Sequence, residues 1–319
     1  MNIKSKRKIN TSLSVRSACF LMAAVAMSRG SSFLLSKQLL GDMEPLNLLG
    51  LRFLIAFLVL FIIFFKKTCI TIRRNPRILA AALLLGGTYF LCMAAELIGL
   101  QYTTASTCSF LENSAIVIVP LVEAILLRRL PSAKIITSTI ITMTGIGLIV
   151  LCGNGHMGIG IGELLCMIAA LMYTFAIIIT DRLSKKYEPM TLGILYVGVI
   201  GLAGIIVSVF TESPHLPSNG SGWLLLLGLA LLCSCFGFTM QPVAQKPLTA
   251  ERAGIICALN PLTTAILGFI ILGDQFGPLK VLGAVLIIGG ILLPNIRVRH
   301  SSVKRSRLHA AFAGLVEGK

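Results

Sequence analysis

Ten apolar runs, each about 17 to 25 residues long, succeed one another along this chain with only short polar segments between them. They fall at about 17–39, 46–65, 78–99, 104–127, 134–152, 160–180, 190–210, 223–244, 252–273 and 279–295. A helix of that length crosses about 30 Å of hydrocarbon at 1.5 Å per residue, whereas a membrane β-barrel needs alternating strands of about ten residues. Breakers such as Asn75-Pro76, Gly153-Asn-Gly155 and Gly277-Pro278 end the runs. With 56% hydrophobic and 13% charged residues among 319, too little polar surface exists to clothe a soluble globule. The expected class is therefore an all-α integral membrane protein of ten transmembrane helices.

The chain also repeats itself at an offset of about 144 residues. Arg29-Gly-Ser-Ser-Phe33, then Glu44-Pro45 and an apolar run, parallel Tyr173-Thr-Phe-Ala-Ile177, then Glu188-Pro189 and another apolar run. Further on, Thr103-Thr104-Ala105 and Lys134 parallel Thr249-Ala250-Glu251 and Lys280. Five spans per copy is an odd number, so the second copy must thread the membrane upside down. Two inverted five-helix repeats around a central cavity are a feature of secondary transporters. The expected divisions are a basic tail over 1–16, repeats over 17–152 and 160–296, and a basic tail over 297–319.

Net charge of +16 would suggest nucleic acid in a soluble protein, but here the basic residues alternate by loop. Twenty-four of the 28 map to one side of a ten-span topology, leaving Arg29, Lys37, Arg52 and Lys280. The positive-inside rule then predicts both termini in the cytoplasm, the basic tails against membrane lipid, and a multi-pass protein of the cytoplasmic (inner) membrane. The nine cysteines lie mostly within apolar runs without ligand spacing to histidine, so no metal, cofactor or disulfide framework is expected. A cleaved secretory leader would remove the start of the first repeat, which matches the second copy, so the first run is read as a retained span.

In order and duplication the motifs resemble the EamA-like family of the drug/metabolite transporter superfamily. The pieces that carry the resemblance are Gly30-Ser-Ser-Phe33, Glu44-Pro45 with Leu51-Arg52-Phe53, and Gly99-Leu-Gln-Tyr-Thr-Thr-Ala-Ser106 in the first half. In the second they are Leu259-Asn260-Pro261, Leu272-Gly273-Asp274 and Leu282-Gly-Ala-Val-Leu-Ile-Ile-Gly-Gly290. The resemblance implies a ten-helix bundle with a cavity lined mainly by spans 1, 3, 4, 6, 8 and 9, and export of small organic metabolites, amino acids among them. Arg29 stands where relatives commonly carry Trp.

Ionisable groups inside hydrocarbon cost several kcal/mol, so they face a cavity or a partner. Arg29 lies about twelve residues into the first span, roughly 18 Å deep. At 100° per residue Ser32 and Ser36 share its face. Glu112, at similar depth in the fourth span, is the natural partner and the candidate for proton coupling. One reading makes the pair structural, the other makes it bind substrate. Ser114 adjoins Glu112, Asn260 occupies the corresponding place in span 9, and Tyr173 replaces Arg29 in the second copy. Tyr89 and Gln241 complete the candidate substrate-binding set. Glu96 is read as near a hydrated outer end, Arg52 as snorkelling to the interface, and Glu123 as a cytoplasmic surface ion pair.

The predicted function is secondary transport of small polar metabolites, amino acids foremost and outward, coupled to protons or to exchange. A sugar-nucleotide, organic-anion or drug carrier is the alternative, with Arg29 as anion clamp. No phosphate-binding loop Gly-x-x-x-x-Gly-Lys-Ser/Thr occurs. A polytopic enzyme would show paired acids or a nucleophile with its base at a membrane edge, and a receptor would need longer loops, so neither is expected.

Overall fold

The computed structural model describes residues 14–115, 117–119, 122, 133–152, 160–248, 256, 257, 259–273 and 277–293. Its elements are helices: α1 Val15–Leu39, α2 Pro45–Ile63, α3 Phe65–Arg74, α4 Arg77–Tyr102, α5 Ala105–Asn113, α6 Ala133–Cys152, α7 Ile161–Lys186 and α8 Pro189–Thr211. Three more complete the set, α9 Gly220–Gln245, α10 Leu259–Leu272 and α11 Pro278–Leu292. Six of them, α1, α2, α4, α7, α8 and α9, are long and apolar enough to cross a bilayer, and shorter apolar helices occupy the four other predicted positions.

Local chemistry sets the starts. Proline occupies the first turn of α2, α8 and α11, where its missing N–H costs nothing. Side-chain oxygens of Ser14, Thr104, Glu188 and Asn219 accept backbone N–H bonds from α1, α5, α8 and α9. The start of α2 is capped from a distance: the Glu212 carboxylate accepts from Leu46 N at 2.9 Å and Asn47 N at 2.7 Å. At the other end of α4, Lys37 Nζ donates to the carbonyls of Leu100 and Thr103 at 2.6 and 2.9 Å, answering groups the helix leaves open. A pocket of about 360 Å³ opens there, lined by Lys37, Gln101, Thr103 and Leu272 among others, away from the charged centre.

The dominant packing joins the two halves: α2 lies along α8, α4 along α7, α6 along α11, and α1 against α9 and α10. Glycines permit the closest approaches. A Cβ on Gly201 would stand 2.5 Å from Leu54 N, and one on Gly30 would stand 2.5 Å from the Asn260 carbonyl oxygen. Large apolar side chains such as Phe20, Leu83, Phe210, Leu224 and Phe269 point outward and are exposed, as lipid contact demands. Inside, α9 widens into a π-helical stretch over Leu229–Phe238 before returning to α-helix at Thr239. Such a stretch shifts the register of the next turn, here the one that carries Gln241.

Candidate functional site: a buried charge cluster

Polar groups converge where α1, α2, α4, α5, α7, α8 and α9 meet. Arg29 on α1 is 4% exposed. Its Nη1 donates to Tyr173 Oη at 2.7 Å and to Gln241 Oε1 at 2.9 Å. Its guanidinium carbon lies 4.6 Å from the Tyr173 ring centroid and 4.7 Å from that of Phe238, within cation–π range. Nη2 stands 3.6 Å from Glu112 Oε1, an ion pair too long to be a direct charge-assisted hydrogen bond. Arg29 and Tyr173 are 144 positions apart, the repeat offset, and here they touch.

A second arginine lies beside the first. Arg52 Nη1 donates to Ser36 Oγ at 2.9 Å, Nη2 reaches Met93 Sδ at 3.4 Å, and the guanidinium carbon sits 4.8 Å from the Phe53 ring. Arg52 is 1% exposed and Glu96 likewise 1%. Both expectations for these residues are therefore corrected. Arg52 does not snorkel, because α2 packs between α4 and α8 and leaves it no route out; Glu96 is not hydrated, because α4 packs against α5 and α7 there and buries it. Ser36, which helical periodicity puts on the Arg29 face, serves Arg52 instead.

The remaining candidates divide. Asn260 Nδ2 donates to Asn113 Oδ1 at 3.1 Å, while Asn260 Oδ1 has no hydrogen-bond partner among the described residues. Tyr89 is buried, stacks on Tyr196 with centroids 5.2 Å apart, and lies edge-on to Phe238 at 5.8 Å. Its hydroxyl is without a hydrogen-bond partner among the described residues. Ser32 and Ser114 are buried but spend their hydroxyls locally, on the carbonyls of Arg29 and Leu111. Glu123 lies outside the described residues, as do most of the amino-terminal tail and the carboxyl tail. Phe238 and Tyr196 join the cluster without having been chosen from the sequence, and Arg52 and Glu96, read there as snorkelling and as hydrated, join it too. For the two charged ones, the signal was available: ionisable groups within apolar runs.

Arg29, Glu96, Glu112, Tyr89, Tyr173 and Gln241 are each no more than 4% exposed. Among the described residues these side chains are buried together at the meeting of the helices. The arrangement offers a fixed guanidinium with an incompletely satisfied counter-ion, orphan acceptors and an aromatic wall. Chemically, such a set can offer charge and hydrogen bonds to a polar or charged group away from water.

An occluded charged centre enclosed by apolar helices of membrane length, with two halves packed against each other, is the architecture of a multi-pass membrane transporter. The model of the EamA-like transporter family matches residues 16–151 and again 160–296, and the chain belongs to that family, which is one of transporters and not of enzymes. An uncharacterised transporter of Archaeoglobus fulgidus is 24% identical over 87% of this chain and 85% of its own length. A Chlamydia muridarum protein named as an S-adenosylmethionine/S-adenosylhomocysteine transporter is 22% identical over 90% and 93%. A solved crystal structure matches with a TM-score of 0.67 at 15% identity, covering 92% of this chain and 99% of that one, a likeness of fold alone.

Proposed function

We propose that the chain is a secondary transporter that carries small carboxylate-bearing metabolites, amino acids foremost, outward by alternating access, with a proton gradient or exchange as its driving force. The observation that carries this reading is Arg29, a permanent cation buried at the meeting of both halves, tied to Tyr173 and Gln241 but only loosely to Glu112 at 3.6 Å. Its fork geometry matches a carboxylate, and displacement of the long Glu112 contact would free it to bind one. Glu112 is then available to an ammonium group or a proton. Tyr89, Tyr173, Asn260 and Gln241 supply further contacts, and Ser32 and Ser114 shape the adjoining backbone.

The same reading takes the four shorter apolar helices as spans, giving ten in two inverted repeats over 17–152 and 160–296. Both termini are cytoplasmic in the inner membrane, with Lys66, Arg73 and Arg74 of α3 available to anionic lipid, while Lys67 pairs with Glu188 at 2.8 Å. A second reading is favoured by the aromatic wall of Tyr89, Tyr196 and Phe238: an adenosyl-bearing amino acid, as in the name of the Chlamydia relative, would place its carboxylate on Arg29 and its base on those rings.

Counterflow in proteoliposomes tests both. Vesicles preloaded with unlabelled amino acids or S-adenosylmethionine should accumulate the matching labelled compound, and Arg29→Gln should reduce accumulation about 10- to 100-fold, the range for losing a hydrogen bond to a charged group. Full accumulation by Arg29→Gln would reject the carboxylate-clamp role. Failure of every compound in both classes to exchange would reject the substrate class.

A further inference from the structure

The carboxamides of Asn113 on α5 and Asn260 on α10 meet across the two halves, 147 positions apart and so close to the offset that brings Arg29 to Tyr173. Their hydrogen bonds fix which atom each one presents. Asn113 Nδ2 donates to the Ser109 carbonyl at 2.8 Å, and a carbonyl only accepts, so the nitrogen faces Ser109 and Oδ1 faces Asn260. Asn260 answers with its own Nδ2 at 3.1 Å. That leaves Asn260 Oδ1 as a committed acceptor on a residue 3% exposed, without a hydrogen-bond partner among the described residues.

The backbone that carries this amide is held as firmly. Thr264 Oγ1 lies 2.8 Å from the Gly30 carbonyl oxygen, 3.0 Å from Ser109 Oγ and 3.1 Å from the Asn260 carbonyl oxygen, tying α10 to α1 and α5. Gly30 follows Arg29 and Asn113 follows Glu112, so Asn260 contacts the residue next to each member of that ion pair. A pair that served only to join helices gains nothing from an orphan, since a buried acceptor left unpaired costs stability. Such an oxygen attracts an N–H or O–H donor and repels a carboxylate. For a small molecule whose carboxylate is on Arg29, the complement is a primary ammonium, with three donors and no acceptor.

We propose that Asn260 Oδ1 accepts the substrate's ammonium group and so selects α-amino carboxylates over plain carboxylates, with Asn113 as the positioning residue that keeps the Asn260 oxygen, not its nitrogen, free. This rests on the carboxylate-clamp reading of Arg29 and adds the group that tells an amino acid from its desamino acid. Asn113→Leu removes the acceptor that holds Asn260 Nδ2, so the amide can turn its nitrogen to the ligand and the selectivity weakens. Asn260→Leu removes the acceptor itself.

Thermal unfolding of the purified full chain with added ligand tests this, because a ligand of the folded state raises the midpoint by mass action and so yields a dissociation constant without transport. Each primary α-amino acid is compared with its desamino carboxylic acid and its decarboxylated amine. For at least one set, the wild type should bind the amino acid about 10- to 100-fold more tightly than the desamino acid, the range for a hydrogen bond to a charged group. Asn260→Leu should lose most of that ratio and Asn113→Leu part of it, while both keep their affinity for the desamino acid; a merely structural role would not move the ratio. Equal binding of amino and desamino acids by the wild type overturns the proposal and needs no variant to fold. A ratio that survives Asn260→Leu also overturns it, leaving the ammonium to Glu112, and one untouched by Asn113→Leu overturns the positioning role. Binding of the amines but not the desamino acids, weakened by Asn260→Leu, would support the ammonium site and reject only the carboxylate reading. Binding of none of these compounds rejects both.

Discussion

Replacing Arg29 and Glu112 by glutamine, singly and together, separates a structural ion pair from a working one. At 3.6 Å the charges attract by about 4 to 5 kcal/mol if the effective dielectric is about 20. Desolvation offsets much of that, so the coupling measured by a double-mutant cycle should be about 2 to 3 kcal/mol. Each single change strands a buried group, and the double neutral variant should regain most of the lost stability. Unfolding of detergent-solubilised protein can be monitored through Trp223, the chain's one tryptophan. The double variant should nevertheless stay inactive in counterflow, since both of the proposed polar anchors for substrate have gone. Stabilities that add within about 0.5 kcal/mol would mean that the pair is not coupled. Full, pH-dependent transport by the double variant would show that the pair serves folding alone.

The packing and the charge pattern carry three further expected outcomes. Gly201→Ala should cost about 1 to 3 kcal/mol, because its Cβ would meet Leu54 N at 2.5 Å and the Phe53 carbonyl carbon at 2.8 Å, whereas Gly87→Ala, with nothing within 4 Å, should be neutral or slightly stabilising in the same unfolding assay. Outside the membrane segments, hydrogen bonds from the Ser218 hydroxyl and N–H hold the Asp42 carboxyl below its usual range. Its stabilising contribution is complete above the ordinary carboxylate value of about 4 and is lost as pH falls through the lowered one, so Ser218→Ala should flatten the acid limb of stability against pH. Reporter fusions at residue 155 should read outside and those at residue 185 inside; both on one side would refute the inverted threading.

Charge within apolar runs was enough to find Arg29 and Glu112, because depth along a helix can be counted from its ends. Tyr173 was legible through the repeat, since the pseudo-equivalent of a residue near the axis meets it there. Depth counting failed for Glu96 and Arg52, because it says nothing about lateral burial: Glu96 lies only six residues before the end of α4 yet is enclosed by its neighbours. Phe238 and Tyr196 were invisible for a different reason. Their contacts with Arg29 and Tyr89 join helices more than 40 positions apart in sequence, and the π-helical stretch of α9 shifts the local face away from a 3.6-residue period. Ser114 lies in the right neighbourhood, but its hydroxyl returns to its own helix, a competition that residue type alone does not resolve.

Alternating access to the Arg29 centre is the central claim, and thiol labelling tests it most directly. Ser32 is 5% exposed and lies one turn from Arg29, and Ser32→Cys is a small change. In a background freed of its other cysteines, membrane-impermeant reagents should modify this thiol from the inside and from the outside in separate experiments, and saturating transported amino acid should slow both reactions. Modification from one face only, or rates that ignore a substrate shown to undergo counterflow, would contradict an alternately opened central site.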